Sequence, residues 1–525
     1  MHNATLPVME SLESRLLLSG AVTVGVVAGK MTITGDGQDN DIVITNNGAN
    51  SFVVSSGANA TTINGNANPT GVTGDIVVNM LGGSDTVNML GLPALKNVSV
   101  NGGDGNNALA IFSASIAGNL TITNGNGDDI VNLLASGRVG GNIKINNGDG
   151  DSGITVDGTL IVAGSLAITG GAGQQSGAVL TGLTVGGSVS AKIGDMVQGS
   201  SLRFIGCHVS KGVTCGLGNN SDPNGADLFY VTGSTINGTV KFTSGLGRSS
   251  NYVASSTIGG AYTATCGAAN LNAYIFSSVV FSKAVTLTSL ASDNDVTFDG
   301  VRVMGNVSYT GGLGRDDLGV SSTQVTGNFT WTPKAGGSDV QAPNFIVGGN
   351  ATFNGSSDME SINLSGSIGK NLAINFGAGN NTAVLSVLTV GGKLTAITGS
   401  GNDTLIADII TVVGGTAITT AEGDDMITIN DSAFLSGLAI FTGDGIDVLS
   451  IDRVNTAADA PTIAHGKLLV NLGGGNDTID IGFQGSAEQR FAVSGHSTID
   501  GGAGTLTSGM ENLDCVFEPL YKNII

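Results

Sequence analysis

Two glycines and an aspartate return at fixed offsets along this chain, and that recurrence limits the fold more than any other feature. From Gly118, glycines follow at Gly125 and Gly127 and an aspartate at Asp129. From Gly392 the same offsets give Gly399, Gly401 and Asp403, and from Gly466 they give Gly473, Gly475 and Asp477. The anchor runs through Gly74, Lys96, Gly118, Gly141, Gly164, Gly187, Lys211, Gly238, Gly260, Lys283, Gly305, Gly327, Gly349, Lys370, Gly392, Gly415 and Ser436, at steps of 21 to 27 residues. It extends back to Ala28, with Gly35, Gly37 and Asp39 in register. A coil that stacks on itself needs such a period, because each turn meets the same neighbours above and below.

Within one period the spacing is two. Leu120 and Ile122 alternate with Asn119, Thr121 and Thr123, and Val307 and Tyr309 with Asn306, Ser308 and Thr310. That is strand spacing, one side inward and one side wet. A second short run follows the glycine turn (Ile130 to Leu133), and a third apolar step precedes the next anchor (Val139, Val185, Ile236). Three short strands in about 22 residues fit one rung of a three-faced parallel β-helix. The expected fold is therefore all-β: a single elongated right-handed parallel β-helix, or β-solenoid, of about 20 rungs and on the order of 100 Å long. Asn306, Asn328, Asn350 and Asn371 fall on four successive rungs and are expected to form a stacked ladder.

Composition agrees with one ordered rod. Glycine contributes 85 of 525 residues, and charged residues are too few (12%) for a disordered chain. The net charge of −21 and the lack of a basic stripe in the sequence argue against nucleic acid as a partner. No apolar run reaches the roughly 18 residues of a transmembrane span. Cys207, Cys215, Cys266 and Cys515 contain no C-x-x-C pair, and a Cys207–Cys215 bridge remains open.

The expected division is residues 1–20 as an export segment or a cap, 21–505 as the β-helix and 506–525 as a C-terminal cap. The first of these contains Leu12, Glu13, Arg15, Leu17, Leu18 and Ser19. The segment resembles the LEPR-XLL motif that opens many exported surface proteins of planctomycete bacteria, with Ser14 in place of the usual proline. The resemblance covers about a dozen residues and implies a secreted or cell-surface location.

The turns carry the candidate chemistry. Thr398 to Leu405 and Leu472 to Ile479 are the best examples, with glycines that permit a tight turn and aspartates that offer hard anionic oxygens. They resemble the glycine-aspartate calcium nonapeptide of RTX proteins, although here the unit occurs once per coil and not in tandem. The resemblance implies Ca2+ at two acidic groups. The first comprises Asp85, Asp104, Asp128, Asp129, Asp149 and Asp151; the second comprises Asp403, Asp424, Asp425, Asp444, Asp447 and Asp477, with Asp480 beside it. Stacked carboxylates at ~4.8 Å repel by roughly 1 kcal/mol per pair even in water, which favours cations between them. The competing reading is a solvated acidic edge in which Asp and Asn serve only as turn formers.

Two other constellations stand out. Asp293, Asp295, Asp299, Asp316 and Asp317 with Arg302 form a carboxylate group suited to binding or cleaving a sugar chain. Phe229, Tyr230, Phe242, Tyr252, Tyr262, Tyr274, Phe276 and Phe281 are expected mainly as core, with Tyr252 and Tyr274 as an alternative sugar-stacking strip. His2, His208, His465 and His496 are too scattered for a catalytic triad. The resulting expectation is an exported structural or adhesive β-helix rod stabilised by calcium. Its partners would be further copies, other cell-envelope or matrix components, or polysaccharide. The alternatives are a polysaccharide-acting β-helix lyase or hydrolase, and a carbohydrate-binding module.

Overall fold

Alternating strands and glycine turns close each coil onto the one before it. The computed structural model describes residues 20–134, 136–222, 224–268, 271–290, 293–452, 460–482, 490–510, 513–515 and 520–522. These residues are all-β without a helix and form a β-solenoid of about 17 turns of ~22 residues. Coils lengthen toward the end, where Asp447 stands 30 residues before its stacked partner Asp477.

Each coil contributes three faces in parallel register, and in coils such as that of Ser338–Val347 one strand covers the second and third. On the first face Leu120–Asn124 lies beside Ile143–Asn146, with Leu120 opposite Ile143 and Ile122 opposite Ile145. On the second, Asp129–Leu134 lies beside Ser152–Asp157. The third, short face pairs Gly137–Val139 with Leu160–Val162. Alternation sends every second side chain inward, so columns of Val, Ile and Leu fill the interior.

Aromatic residues thicken the core in the middle coils. Phe229, Phe242, Tyr262, Tyr274, Phe276 and Phe281 are fully buried, and Tyr309 stacks on Trp331 at a centroid distance of 4.0 Å. Tyr274 therefore belongs to the core and not to a surface strip. Tyr252 does face outward, and its neighbour is Tyr230, stacked at 4.9 Å with ring planes 6° apart. Each ring covers one face of the other, leaving less flat aromatic surface for a sugar.

The N-terminal end differs from the expected uniform register. Ala28 and Gly29, with φ of 48° and 78°, join Ala21–Val27 to Lys30–Thr34 in an antiparallel hairpin. Positive φ at both central residues matches the strand twist of a tight hairpin. A second antiparallel pair joins Asp41–Asn46 to Phe52–Ser56. Of these N-terminal strands Lys30–Thr34 and Asp41–Asn46 pair in parallel with the next coil. Ala21–Val27, Phe52–Ser56 and Thr62–Gly65 lie behind them as a folded-back layer, in which Ala21–Val27 pairs in parallel with Thr62–Gly65. The LEPR-XLL-like segment up to Ser19 lies outside the described residues. At the other end, Ala503–Met510, Leu513–Cys515 and Leu520–Lys522 continue the parallel ladder where a cap is expected. Cys207, Cys215 and Cys266 are buried free thiols, which leaves no Cys207–Cys215 bridge.

Candidate functional site: the glycine-aspartate turns

The turn between the first and second faces sorts its polar residues into an inner column and an outer edge. The inner column begins the second strand of each coil. It includes Asp85, Asn107, Asp129, Asp227, Glu360, Asn381, Asp403, Asp425, Asp447 and Asp477, all almost fully buried. Along much of it a residue hands its backbone N–H to a side-chain oxygen of the next coil, whereas the Asp129 N–H goes to the Asp151 carbonyl. Asn381 N donates to Asp403 Oδ1 at 2.8 Å, Asp403 N to Asp425 Oδ1 at 2.8 Å, Asp425 N to Asp447 Oδ1 at 2.9 Å and Asp447 N to Asp477 Oδ1 at 3.0 Å. The same bond joins Asn107 N to Asp129 Oδ1 at 3.0 Å and Asn40 N to Asp85 Oδ1 at 2.8 Å.

One branch of each side chain is thus used, and the other branch separates Asn from Asp. Asn107 Nδ2 donates to the carbonyls of Gly103 and Gly105 at 3.0 and 2.9 Å. Asn381 Nδ2 donates to Gly377, Gly379 and Thr398 carbonyls at 3.1, 2.9 and 2.8 Å. The two turn glycines therefore supply a cradle of carbonyl oxygens. Where Asp occupies the position, its second oxygen takes the place of the amide nitrogen. Oδ2 of Asp85, Asp129, Asp227, Asp403, Asp425, Asp447 and Asp477 is buried without a hydrogen-bond partner, as is Glu360 Oε2. A buried anionic oxygen beside carbonyl oxygens is costly unless a proton or a cation joins them.

Burial accordingly drives these carboxyls upward in pKa. Desolvation raises Asp85 from 3.8 to about 7 and Asp129 and Asp425 to about 6. It raises Asp403, Asp447 and Asp477 in the same direction. The longest acidic run is Asp403, Asp425, Asp447 and Asp477 on four successive coils.

The outer edge behaves differently. Asp104 Oδ1 accepts the N–H of Asn126 at 2.9 Å, and Asp149 Oδ1 accepts that of Ala172 at 2.9 Å. Asp128 Oδ1 accepts Asp151 N at 2.9 Å, Asp151 Oδ1 accepts Gln174 N at 2.6 Å, and Asp424 Oδ1 accepts Ile446 N at 2.8 Å. Asn106 and Asn402 make the same bond in the same columns. Here Asp and Asn are interchangeable turn acceptors, and Asp104, Asp128, Asp149, Asp424 and Asp444 face solvent. The twelve sequence-selected aspartates thus divide: Asp85, Asp129, Asp403, Asp425, Asp447 and Asp477 are inner, and the other six are outer. Among the described residues no three His, Cys, Asp or Glu side chains gather closely enough to hold a metal ion by themselves. A calcium ion in this turn would draw one inner carboxylate and the glycine carbonyls, with the rest of its six to eight oxygens from neighbouring coils and water.

Sequence reasoning missed Asp227, Glu360 and the two asparagines, because these coils depart from the Gly-x-Gly-x-Asp spelling. It grouped Asp316 with Asp293, Asp295, Asp299 and Asp317, apart from the turn column. Asp316 instead lies in the inner column, accepting from Tyr309 Oη at 2.8 Å, with burial pushing its carboxyl to about 6. The signal that could have found it is the spelling Gly312-x-Gly314-x-Asp316, at the usual offsets from Gly305. Of the remaining surface group, Asp317 pairs with Arg315 Nε at 2.7 Å, and Asp293 Oδ1 accepts the Arg315 N–H at 3.0 Å. Asp295, Asp317 and Asp339 stack on successive coils of the second face, whereas Arg302 sits on the third. The Asn306–Asn328–Asn350–Asn371 ladder is present with side-chain oxygens accepting backbone N–H groups at 2.9 to 3.1 Å.

No family model, curated protein or solved structure matches the chain.

Proposed function

We propose that this protein is an exported structural or adhesive rod of the bacterial cell surface or its surrounding matrix, with inner turns set by calcium. The observation that carries the calcium part is the Asp403–Asp425–Asp447–Asp477 run, whose second oxygens are buried without partners where Asn381 places a donor. Repulsion along this column, at ~4.8 Å per step, is relieved by a divalent cation, by protonation, and in part by the Thr398, Thr420 and Thr442 hydroxyls beside Asp403, Asp425 and Asp447. The even coils, the long solvent-facing sheets and the LEPR-XLL-like opening support a spacer or adhesive role. No described helix is long and apolar enough to cross a membrane.

The polysaccharide-enzyme reading has less support. Glu360, a buried acid with a raised pKa beside Asp358 and Asp339, is 0% exposed and out of a substrate's reach. Melting curves with chelator and with millimolar calcium test the proposal. A large rise in Tm with calcium supports it, and superimposable curves refute the calcium part.

A further inference from the structure

The first face changes character in the middle coils. Its outward positions elsewhere hold residues as varied as Lys144, Ala167, Gly216, Ile397 and Phe441. From Tyr262–Cys266 to Ala351–Asn354 they hold almost only threonine. Thr263, Thr286, Ser308, Thr330 and Thr352 stack in one outward column. Thr265, Thr288, Thr310 and Thr332 stack in the other, which Asn354 closes. The register runs through these five coils without a bulge, and none of the five strands contains a charged residue. Strand propensity alone would spread threonine over the whole face, so its concentration here has another cause. The array is also rigid. Tyr262, Leu287, Tyr309, Trp331 and Phe353 are buried beneath it, and Tyr274 Oη donates to the Thr288 carbonyl at 2.9 Å. Branching at Cβ restricts χ1, so each threonine holds its methyl and hydroxyl in fixed places. These groups repeat at ~4.8 Å along the rod and at about 6.6 Å across it, the rise of two strand residues. Among the described residues, Thr332 Oγ1 is the one array hydroxyl that meets another side chain, accepting from Asn354 Nδ2 at 3.0 Å.

We infer that this threonine array binds ice. Both of its spacings are close to oxygen repeats on a prism face of hexagonal ice, so water held by the hydroxyls already stands near lattice positions. The methyl groups between them restrict the orientation of the remaining first-shell water. A lysine ammonium would instead keep its own strong hydration shell and break the pattern. Lys241, in register with Thr263, marks that boundary. Single contacts to water are weak, but they act together from a surface that needs no further ordering. A crystalline polysaccharide is the other repeating hydroxylated surface. Sites for such ligands are concave and lined by aromatic side chains. The array is an open sheet face without an outward aromatic ring, and Tyr230 and Tyr252 lie on the second face, stacked on each other. The inference goes beyond the structural-rod reading and needs neither calcium nor a cell-surface location.

The test is partition of the full chain into ice grown slowly through a dilute solution, in chelator and in millimolar calcium. Coarsening of fine ice grains is followed in parallel. The expected result is enrichment of the parent chain in the ice and arrested coarsening under both conditions. Thr310→Tyr and Thr286→Lys should each lower both effects several-fold at an unchanged Tm. Tyrosine suits an exposed strand position, and lysine already occupies the second column at Lys241. Thr297→Tyr, on the second face of the coil that carries Thr286, should leave both effects intact. Exclusion of the parent chain from ice, equal incorporation of the array variants, or the same loss in Thr297→Tyr overturns the inference. Exclusion from ice together with retention on insoluble cellulose or chitin that Thr310→Tyr loses would assign the array to a crystalline polysaccharide instead. Because the experiment runs with and without calcium, its failure is separable from failure of the calcium reading.

Discussion

Asn381 and Asp403 occupy the same place in successive turns, joined by a 2.8 Å bond from the Asn381 N–H to Asp403 Oδ1, yet only Asn381 satisfies the carbonyls of its own turn. The asparagine closes its turn with a neutral donor. The aspartate leaves a buried oxygen with no partner, and this single difference governs how the turn responds to protons and to cations.

Replacing Asp425 by Asn should stabilise the metal-free protein. The new amide can donate to the turn carbonyls as Asn381 does, removing a buried orphan worth about 1–3 kcal/mol. Melting in chelator should show a higher Tm for Asp425→Asn than for the parent chain. The same substitution should reduce the gain from calcium.

Stability of the metal-free protein should rise as pH falls from about 7.5 toward 5. The folded pKa values of Asp85 (about 7) and of Asp129, Asp227, Asp316 and Asp425 (about 6) lie above the ordinary value of 3.8. Between those limits the folded chain binds more protons than the unfolded one, so stability falls with rising pH. The contribution is complete below 3.8 and lost as pH passes the folded values. Denaturant midpoints in chelator at pH 5 and 7.5 check the sign, and saturating calcium should flatten the dependence.

Gly401→Ala should destabilise the rod sharply. Its φ is 127°, and an added Cβ would stand 2.3 Å from the Gly379 carbonyl oxygen of the coil beneath. Backbone strain of this kind costs on the order of 1–3 kcal/mol before the clash is counted. Gly25→Ala, where an added Cβ meets nothing within 4 Å, should be nearly silent. Chemical denaturation of the two variants side by side makes the comparison.

Trp331→Ala should cost about 3–5 kcal/mol, the range for truncating a large buried aromatic. Trp331 is 1% exposed, and its stacking on Tyr309 is lost in the variant. Equilibrium unfolding monitored by far-ultraviolet circular dichroism measures the loss.

The sequence made the architecture legible because a stacked coil repeats its physics. The Gly125–Gly127–Asp129 spacing marks the turn, and the alternation from Leu120 to Thr123 marks the strand. Ala28 shows where periodicity misleads: it keeps the register, but Ala-Gly forms a hairpin turn that no spacing rule separates from an ordinary anchor. The candidate site was half legible. All twelve aspartates lie at the turns, yet their division into buried Asp129 and exposed Asp128 depends on which branch of the chain faces the core. Asp316 keeps the turn spelling but stands next to Asp317 in a run of carboxylates, and only strand alternation, inward at Asp316 and outward at Asp317, tells the two apart. The meaning of Asn107 and Asn381 emerges only once the glycine carbonyls are placed around them.

Calcium at the inner turns is tested most directly by calorimetric titration of calcium into the full chain at pH 7.5, beside a variant carrying Asn at Asp403, Asp425, Asp447 and Asp477. The expected result is several bound ions per parent chain, and fewer in a variant that stays folded and melts higher in chelator. Equal binding by both chains, or no binding heat from the parent at millimolar calcium, would contradict it.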